Sequence, residues 1–84
     1  MSLTLETKLI KQDHRNHIEF VLSDGDDHWS TDFCVDDLPT DERREWLRQV
    51  LEKIMKTMIE RAEVKTKVQV YKRAKEFMEF IGLR

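Results

Sequence analysis

Three runs of alternating apolar and polar residues occupy the first forty positions and constrain the fold more than any other feature. Apolar side chains, with two threonines, recur at every second position in residues 3–9, 18–22 and 29–35. A period of two is typical of strands that bury one face and expose the other. Polar turn sequences at residues 13–16 and 24–27 separate the runs, and Asp24-Gly25 is a hairpin signal. The sequence therefore predicts a three-stranded antiparallel meander.

A long amphipathic helix is predicted to follow the meander. Thr40 or Asp37 can cap its N-terminus, and acidic residues follow in the first turn. Apolar residues recur at helical spacing from Trp46 to Ala62, but their arc of roughly 220° is about twice what one contact surface needs. A helix of about 23 residues is near 34 Å long, whereas a strand of about seven residues covers about 23 Å. We therefore expect the late end of this helix to overhang the sheet.

A second helix is predicted from about residue 67 to residue 81. The helical pattern loses phase around residues 62–66, and Thr66 and Gln69 have the spacing of a capping box. Gly82 would end the helix. Two alternatives remain open, because alternating valine and threonine at residues 64–70 could form a fourth strand, and one unbroken helix could run to residue 81.

The predicted fold class is α+β, with a three-stranded antiparallel β-meander followed by two C-terminal helices in one domain of residues 1–84. Cys34 is the single cysteine, so an internal disulfide is impossible and a reducing compartment is favoured. The chain has no apolar run of membrane-spanning length and no signal-peptide pattern. We expect a cytoplasmic protein with no membrane contact.

Catalytic and metal-binding motifs are not recognisable in the sequence. His14 and His17 near one turn, and His28 beside the aspartates of the other, offer too few ligands for a closed metal site. The aspartates around Cys34 oppose a reactive thiolate. No phosphate-binding loop or nucleophile pattern is present. We therefore expect neither an enzyme nor a metal or other cofactor.

Charge is distributed unevenly, and this suggests one possible function. The first forty residues are acidic, whereas the last part of the chain carries an excess of bases. A basic helix can lie along phosphates. Nucleic-acid binding is therefore one hypothesis, through Lys65, Lys67, Lys72, Arg73 and Lys75.

The preferred hypothesis is a non-catalytic interaction or regulatory module that forms a homodimer or binds a partner protein. The expected overhang and the second helix would supply an apolar contact surface, and Phe80 lies off the main apolar arc of its own helix. Monomers rarely expose large contiguous apolar patches. The predicted interface residues are Met55, Met58, Ile59, Ala62, Tyr71, Phe77, Met78 and Phe80.

Overall fold

The computed structural model describes residues 3–83 and confirms the α+β arrangement. Three strands, β1 (Leu3–Gln12), β2 (Arg15–Asp24) and β3 (Asp27–Cys34), form one antiparallel sheet in the order β1-β2-β3. Two helices follow, α1 (Asp41–Glu60) and α2 (Lys67–Phe80). Both alternatives for residues 64–70 were wrong, because α1 ends before this segment and α2 begins within it.

The strand register matches the predicted division into an apolar and a polar face. Leu5 pairs with Leu22, which pairs with Trp29, so these side chains share one face of the sheet. Ile18 and Phe20 on the same face are fully buried. The helices cover this face, as a sheet with one apolar side requires.

Two-residue loops connect the strands and make them longer than predicted. Asp13 and His14 both have positive φ, as in a type I′ turn, whereas the Gly25-Asp26 loop has positive φ only at Gly25. These loops let the ladders continue through polar residues up to the turns, so β1 and β2 each have ten residues, or about 33 Å. The 20 residues of α1 span only about 30 Å. The expected overhang of α1 was therefore wrong.

Side-chain and backbone caps delimit both helices. Thr40 accepts from the N–H of Arg43 at the start of α1, and Thr66 and Gln69 form the predicted capping box of α2. After each helix, two backbone hydrogen bonds reach back as in a Schellman motif. The left-handed position of that motif is Gly82 after α2 but Ala62 after α1.

The two helices lie antiparallel on the sheet. Glu52 contacts Thr7, while Ile59 lies near Leu5, so α1 runs antiparallel to β1. Lys67 pairs with Asp27 at one end of β3, and the later part of α2 flanks the other end, so α2 runs parallel to β3. Because β1 and β3 are both antiparallel to β2, they run in the same direction. Since α1 is antiparallel to β1 and α2 is parallel to β3, the two helices run in opposite directions. Neither helix within residues 3–83 is long and apolar enough to cross a membrane.

Candidate functional site

The structure corrects part of the predicted interface. Met55 is fully buried and Met78 is 4% exposed, and both belong to the main hydrophobic core. Their apolar spacing reflects packing inside the domain. Neither side chain is therefore available to another chain. Met58 and Ile59 are half-buried and pack against the same core.

The remaining predicted interface residues do not form one surface. Ala62 is exposed in the connection between the helices, where its positive φ completes the end of α1. Tyr71 turns towards β3 and stacks on Phe33, with ring centroids 5.2 Å apart. Phe77 is half-buried and Phe80 is 85% exposed. The predicted set is therefore divided among the core, the connection, the β3 side and the outer side of α2.

Phe77 and Phe80 lie on the flank of α2 that faces away from β3. Helical geometry sets this flank, because Phe77 immediately precedes the buried Met78, whereas Tyr71 immediately follows the buried Val70 and faces β3. Phe80 follows Phe77 by three positions and so shares its flank. Since α1 covers β1 and α2 covers β3, this flank borders α1.

The matching flank of α1 also carries large apolar side chains. Trp46 and Val50 immediately precede the buried Leu47 and Leu51, whereas Arg48, on the opposite flank, contacts β1. Trp46 is 56% exposed. Counted from the connection of the antiparallel hairpin, Trp46 and Phe80 are about equally far along their helices, as are Val50 and Phe77. We call these four residues, Trp46, Val50, Phe77 and Phe80, the hairpin patch.

Sequence reasoning did not assign Trp46 and Val50 to this surface. Their helical spacing places them in the wide apolar arc of α1, but the predicted interface did not include them. The arc is wide because α1 borders both the sheet and α2. The width of the arc was the signal that could have revealed this surface. Trp46 and Val50 lie to one side of the line of buried residues Leu47, Leu51 and Met55.

A groove lies between the free edge of β3 and α2. Its volume is about 220 Å³, and its apolar lining includes Phe33, Tyr71, Met78 and Leu83. Asp32, Cys34, Lys75 and Glu79 complete the lining. We call this cavity the edge groove. Tyr71 forms its wall through an edge-to-face contact with Trp29, at a centroid distance of 6.4 Å, as well as its stack on Phe33.

The five basic residues of the nucleic-acid hypothesis do not share one face. Lys67 is 2.5 Å from Asp27 Oδ2, and Arg73 is 3.2 Å from Glu76 Oε2. Lys67 holds the pKa of Asp27 below its ordinary value. Lys72 and Lys75, three positions apart, share one side of α2, whereas Arg73 points in a different direction from both. Lys65 lies in the connection before the helix.

A polar cluster joins β1 to α1 and was missed by sequence reasoning. Thr7 donates through its hydroxyl, at 2.5 Å, and through its backbone N–H, at 3.2 Å, to Glu52 Oε2. Arg48 Nη1 donates to the Thr7 hydroxyl at 3.0 Å and lies 3.4 Å from its carbonyl oxygen. Two features of the sequence could have indicated this cluster. Thr7 is the one polar residue among the alternating apolar positions of residues 3–9, and Glu45, Arg48 and Glu52 have the spacing of one helix face.

This cluster shifts the titration of its charged groups. The Thr7 hydroxyl and then Lys56 stabilise the Glu52 carboxylate, so the pKa of Glu52 lies below its ordinary value despite partial burial. Hydrogen bonds from Arg48 lower the pKa of Glu45, and those bonds raise the pKa of Arg48. The cluster is therefore fully charged at neutral pH.

The open face of the sheet carries the single thiol. Cys34 pairs across the strands with His17, whose Nδ1 lies 2.6 Å from Asp32 Oδ2. Within residues 3–83, no group of three or more histidine, cysteine and acidic side chains is arranged to hold a metal ion. At the β2–β3 turn, the carboxylate of Asp27 is already engaged with Lys67.

Comparison with protein-family models, with curated proteins and with solved structures found no significant match for this chain.

Proposed function

We propose that this domain is a non-catalytic interaction module that forms a homodimer through the hairpin patch. The observation that supports the proposal is the exposure of two large aromatic side chains on the helical hairpin, Phe80 at 85% and Trp46 at 56%. Burying an aromatic side chain of this size contributes roughly 1.5–3 kcal/mol. Two such residues on one flank of the hairpin favour association.

A second copy of the chain is the occupant that we propose for the patch. By helical spacing, Arg43 and Lys53 flank the patch on α1, and the Arg73–Glu76 ion pair flanks it on α2. In a two-fold dimer, the same surface serves both subunits. If α1 of one subunit packs on α2 of the other, the bases beside each patch lie near the Arg73–Glu76 ion pair of the other subunit. The four helices would then form a bundle between two outward-facing sheets.

Nucleic-acid binding is a second proposal with less support. Two of the five basic residues are engaged in ion pairs, and Glu76 and Glu79 lie among the others on α2. Phosphate recognition depends on bases that converge on one path. The acidic side chains would repel phosphates along much of the helix.

Light scattering of surface variants tests the dimer. We expect wild type at twice the chain mass, and Phe80→Glu and Trp46→Glu shifted towards monomer with circular dichroism unchanged. Val68→Glu is the matched control, because Val68 is 70% exposed on the other flank of α2. A monomeric wild type at millimolar concentration would refute the proposal. Equal loss of dimer in all three variants would place the contact elsewhere.

A further inference from the structure

The two free edges of the sheet differ in how their backbone groups are satisfied. On β1, the outward N–H of Thr7 donates to Glu52, and Arg48 lies against its carbonyl oxygen. Covering a free edge with side chains is a recognised protection against strand addition. The middle of the β1 edge is therefore closed to another strand by α1.

Among the described residues 3–83, nothing covers the free edge of β3 in a comparable way. The hydrogen bond from Val35 N–H to Asn16 O, at 2.8 Å, shows that the peptide groups of Val35 point towards β2. Peptide groups along a strand point alternately to its two sides, so this bond sets the direction for every residue of β3. The peptide groups of Ser30, Asp32 and Cys34 consequently point away from β2. Within residues 3–83, these three outward N–H groups donate no hydrogen bond to another part of the chain. They form a row of unpaired donors and acceptors.

The edge groove lies directly beside this row. Strand addition places alternate side chains of the incoming strand on opposite faces of the sheet. One set would enter the groove above Phe33, between Tyr71 and Met78. The other set would lie on the open face next to Asp32. Backbone pairing beside a groove for alternate side chains is a common mode of peptide recognition.

Charge selects the kind of strand that this edge accepts. Residues 24–37 contain six aspartates and no lysine or arginine. They lie at both ends of β3, with Asp32 in its middle. If a second copy paired antiparallel with β3, the acidic turn of each chain would meet the acidic loop of the other. Like charges at close range are destabilising, so a second copy is disfavoured here.

We propose that the free edge of β3 binds an extended segment of a partner protein in which apolar residues alternate with basic ones. The apolar residues occupy the edge groove, and the basic residues face Asp32 and the flanking aspartates. The backbone of the segment pairs with Ser30, Asp32 and Cys34. This surface is separate from the hairpin patch and does not depend on dimerisation.

A peptide titration followed by amide chemical shifts tests the proposal. The probe is an acetylated, amidated heptapeptide in which valine alternates with lysine. We expect saturable shifts centred on residues 28–34 and on the flank of α2 that carries Tyr71 and Lys75. The same composition with all lysines placed first, and an alternating valine–glutamate peptide, should bind at least about tenfold more weakly. The grouped peptide cannot place its valines in alternation in the edge groove, and the glutamates of the other peptide meet the aspartates.

A proline substitution tests the backbone pairing itself. Ser30→Pro removes an outward N–H without touching the ladder to β2, and Ser30→Ala is the control that keeps it. We expect Ser30→Pro to lose binding and Ser30→Ala to retain it. If Ser30→Pro does not fold, Asp32→Lys should weaken the lysine peptide and strengthen the glutamate peptide. Equal binding of the alternating and grouped peptides, or shifts elsewhere on the protein, would overturn the proposal. Shifts at residues 28–34 on dilution of the protein alone would also overturn it, in favour of a second copy.

Discussion

Ala62 is the residue whose backbone conformation is least suited to its side chain. It occupies the left-handed position after α1 with φ of 58°, where helices most often place glycine. Sequence spacing located the loss of helical phase near this residue. It could not show the left-handed conformation, because an alanine at this place reads as one more member of the apolar arc.

We expect Ala62→Gly to stabilise the domain by ~1 kcal/mol, because glycine adopts this conformation without the penalty of a Cβ atom. Ala74→Gly is the matched control, since Ala74 lies inside α2 with an ordinary helical conformation, and it should destabilise by about 1 kcal/mol. Urea denaturation measures both. The same sign for the two variants would contradict the assignment of Ala62 to the end of α1.

Glu52 is the residue that couples charge to stability. Its pKa is lowered in the folded protein, first by the Thr7 hydroxyl and then by Lys56. Its contribution is therefore present above the ordinary glutamate pKa of about 4.3 and is lost as the pH falls through the lower folded value.

Glu52→Gln should cost about 1 kcal/mol at pH 7, since a hydrogen bond to a charged group is lost at a partly solvated site. The difference in Tm between wild type and variant should shrink as the pH falls from 7 to 3. Glu6→Gln, on the exposed face of the sheet, should leave Tm unchanged at both pH values. A difference that grows on acidification would contradict the assigned direction of the shift.

Between elements, aromatic contacts of β3 with α2 pack the second helix against the sheet. Phe33 makes a stacked contact with Tyr71 and an edge-to-face contact with Phe20, with centroids 5.2 Å and 5.5 Å apart. Alternation predicted that Phe33 and Phe20 share a face. The contact with Tyr71 was not predictable from the sequence. The strand and helix periods show which residues share a face, but they do not show where a helix lies on the sheet.

Phe33→Ala should cost roughly 2–4 kcal/mol, somewhat less than a fully buried aromatic, because Phe33 is only partly buried. Glu19→Ala, on the opposite face of the sheet, should cost under about 0.5 kcal/mol. Chemical denaturation compares the two. The reverse order would show that the strand register is displaced by one residue.

The order and type of the elements were predictable because each has a strong period and an identifiable start or stop. The two-residue loops were harder to predict, since Asp13 and His14 adopt positive φ where Asn-Gly would be the usual signal. Their effect on strand length removed the expected overhang. The interface prediction depended on that overhang and on the apolar residues of the second helix, so Met55 and Met78 were assigned to a surface although they lie in the core.

At the scale of the whole molecule, salt distinguishes the dimer from a phosphate-binding role. Association through an apolar patch should change little between 50 and 500 mM salt. Nucleic-acid affinity falls steeply over such a range because binding releases counterions. Sedimentation at both salt concentrations, with fluorescence anisotropy of a labelled DNA duplex, makes the comparison. A dimer that dissociates at high salt, together with tight salt-sensitive DNA binding, would favour the basic helix over the hairpin patch.

The most direct measurement of the central claim is an isotope-filtered NOE experiment on a mixture of labelled and unlabelled chains. Such a spectrum records only contacts between subunits, so it locates the interface and does not merely count chains. We predict intermolecular NOEs from the rings of Phe80 and Trp46, which are exposed on the outer side of the helical hairpin. Intermolecular NOEs from Val68 or from the open face of the sheet, with none from Phe80, would contradict it.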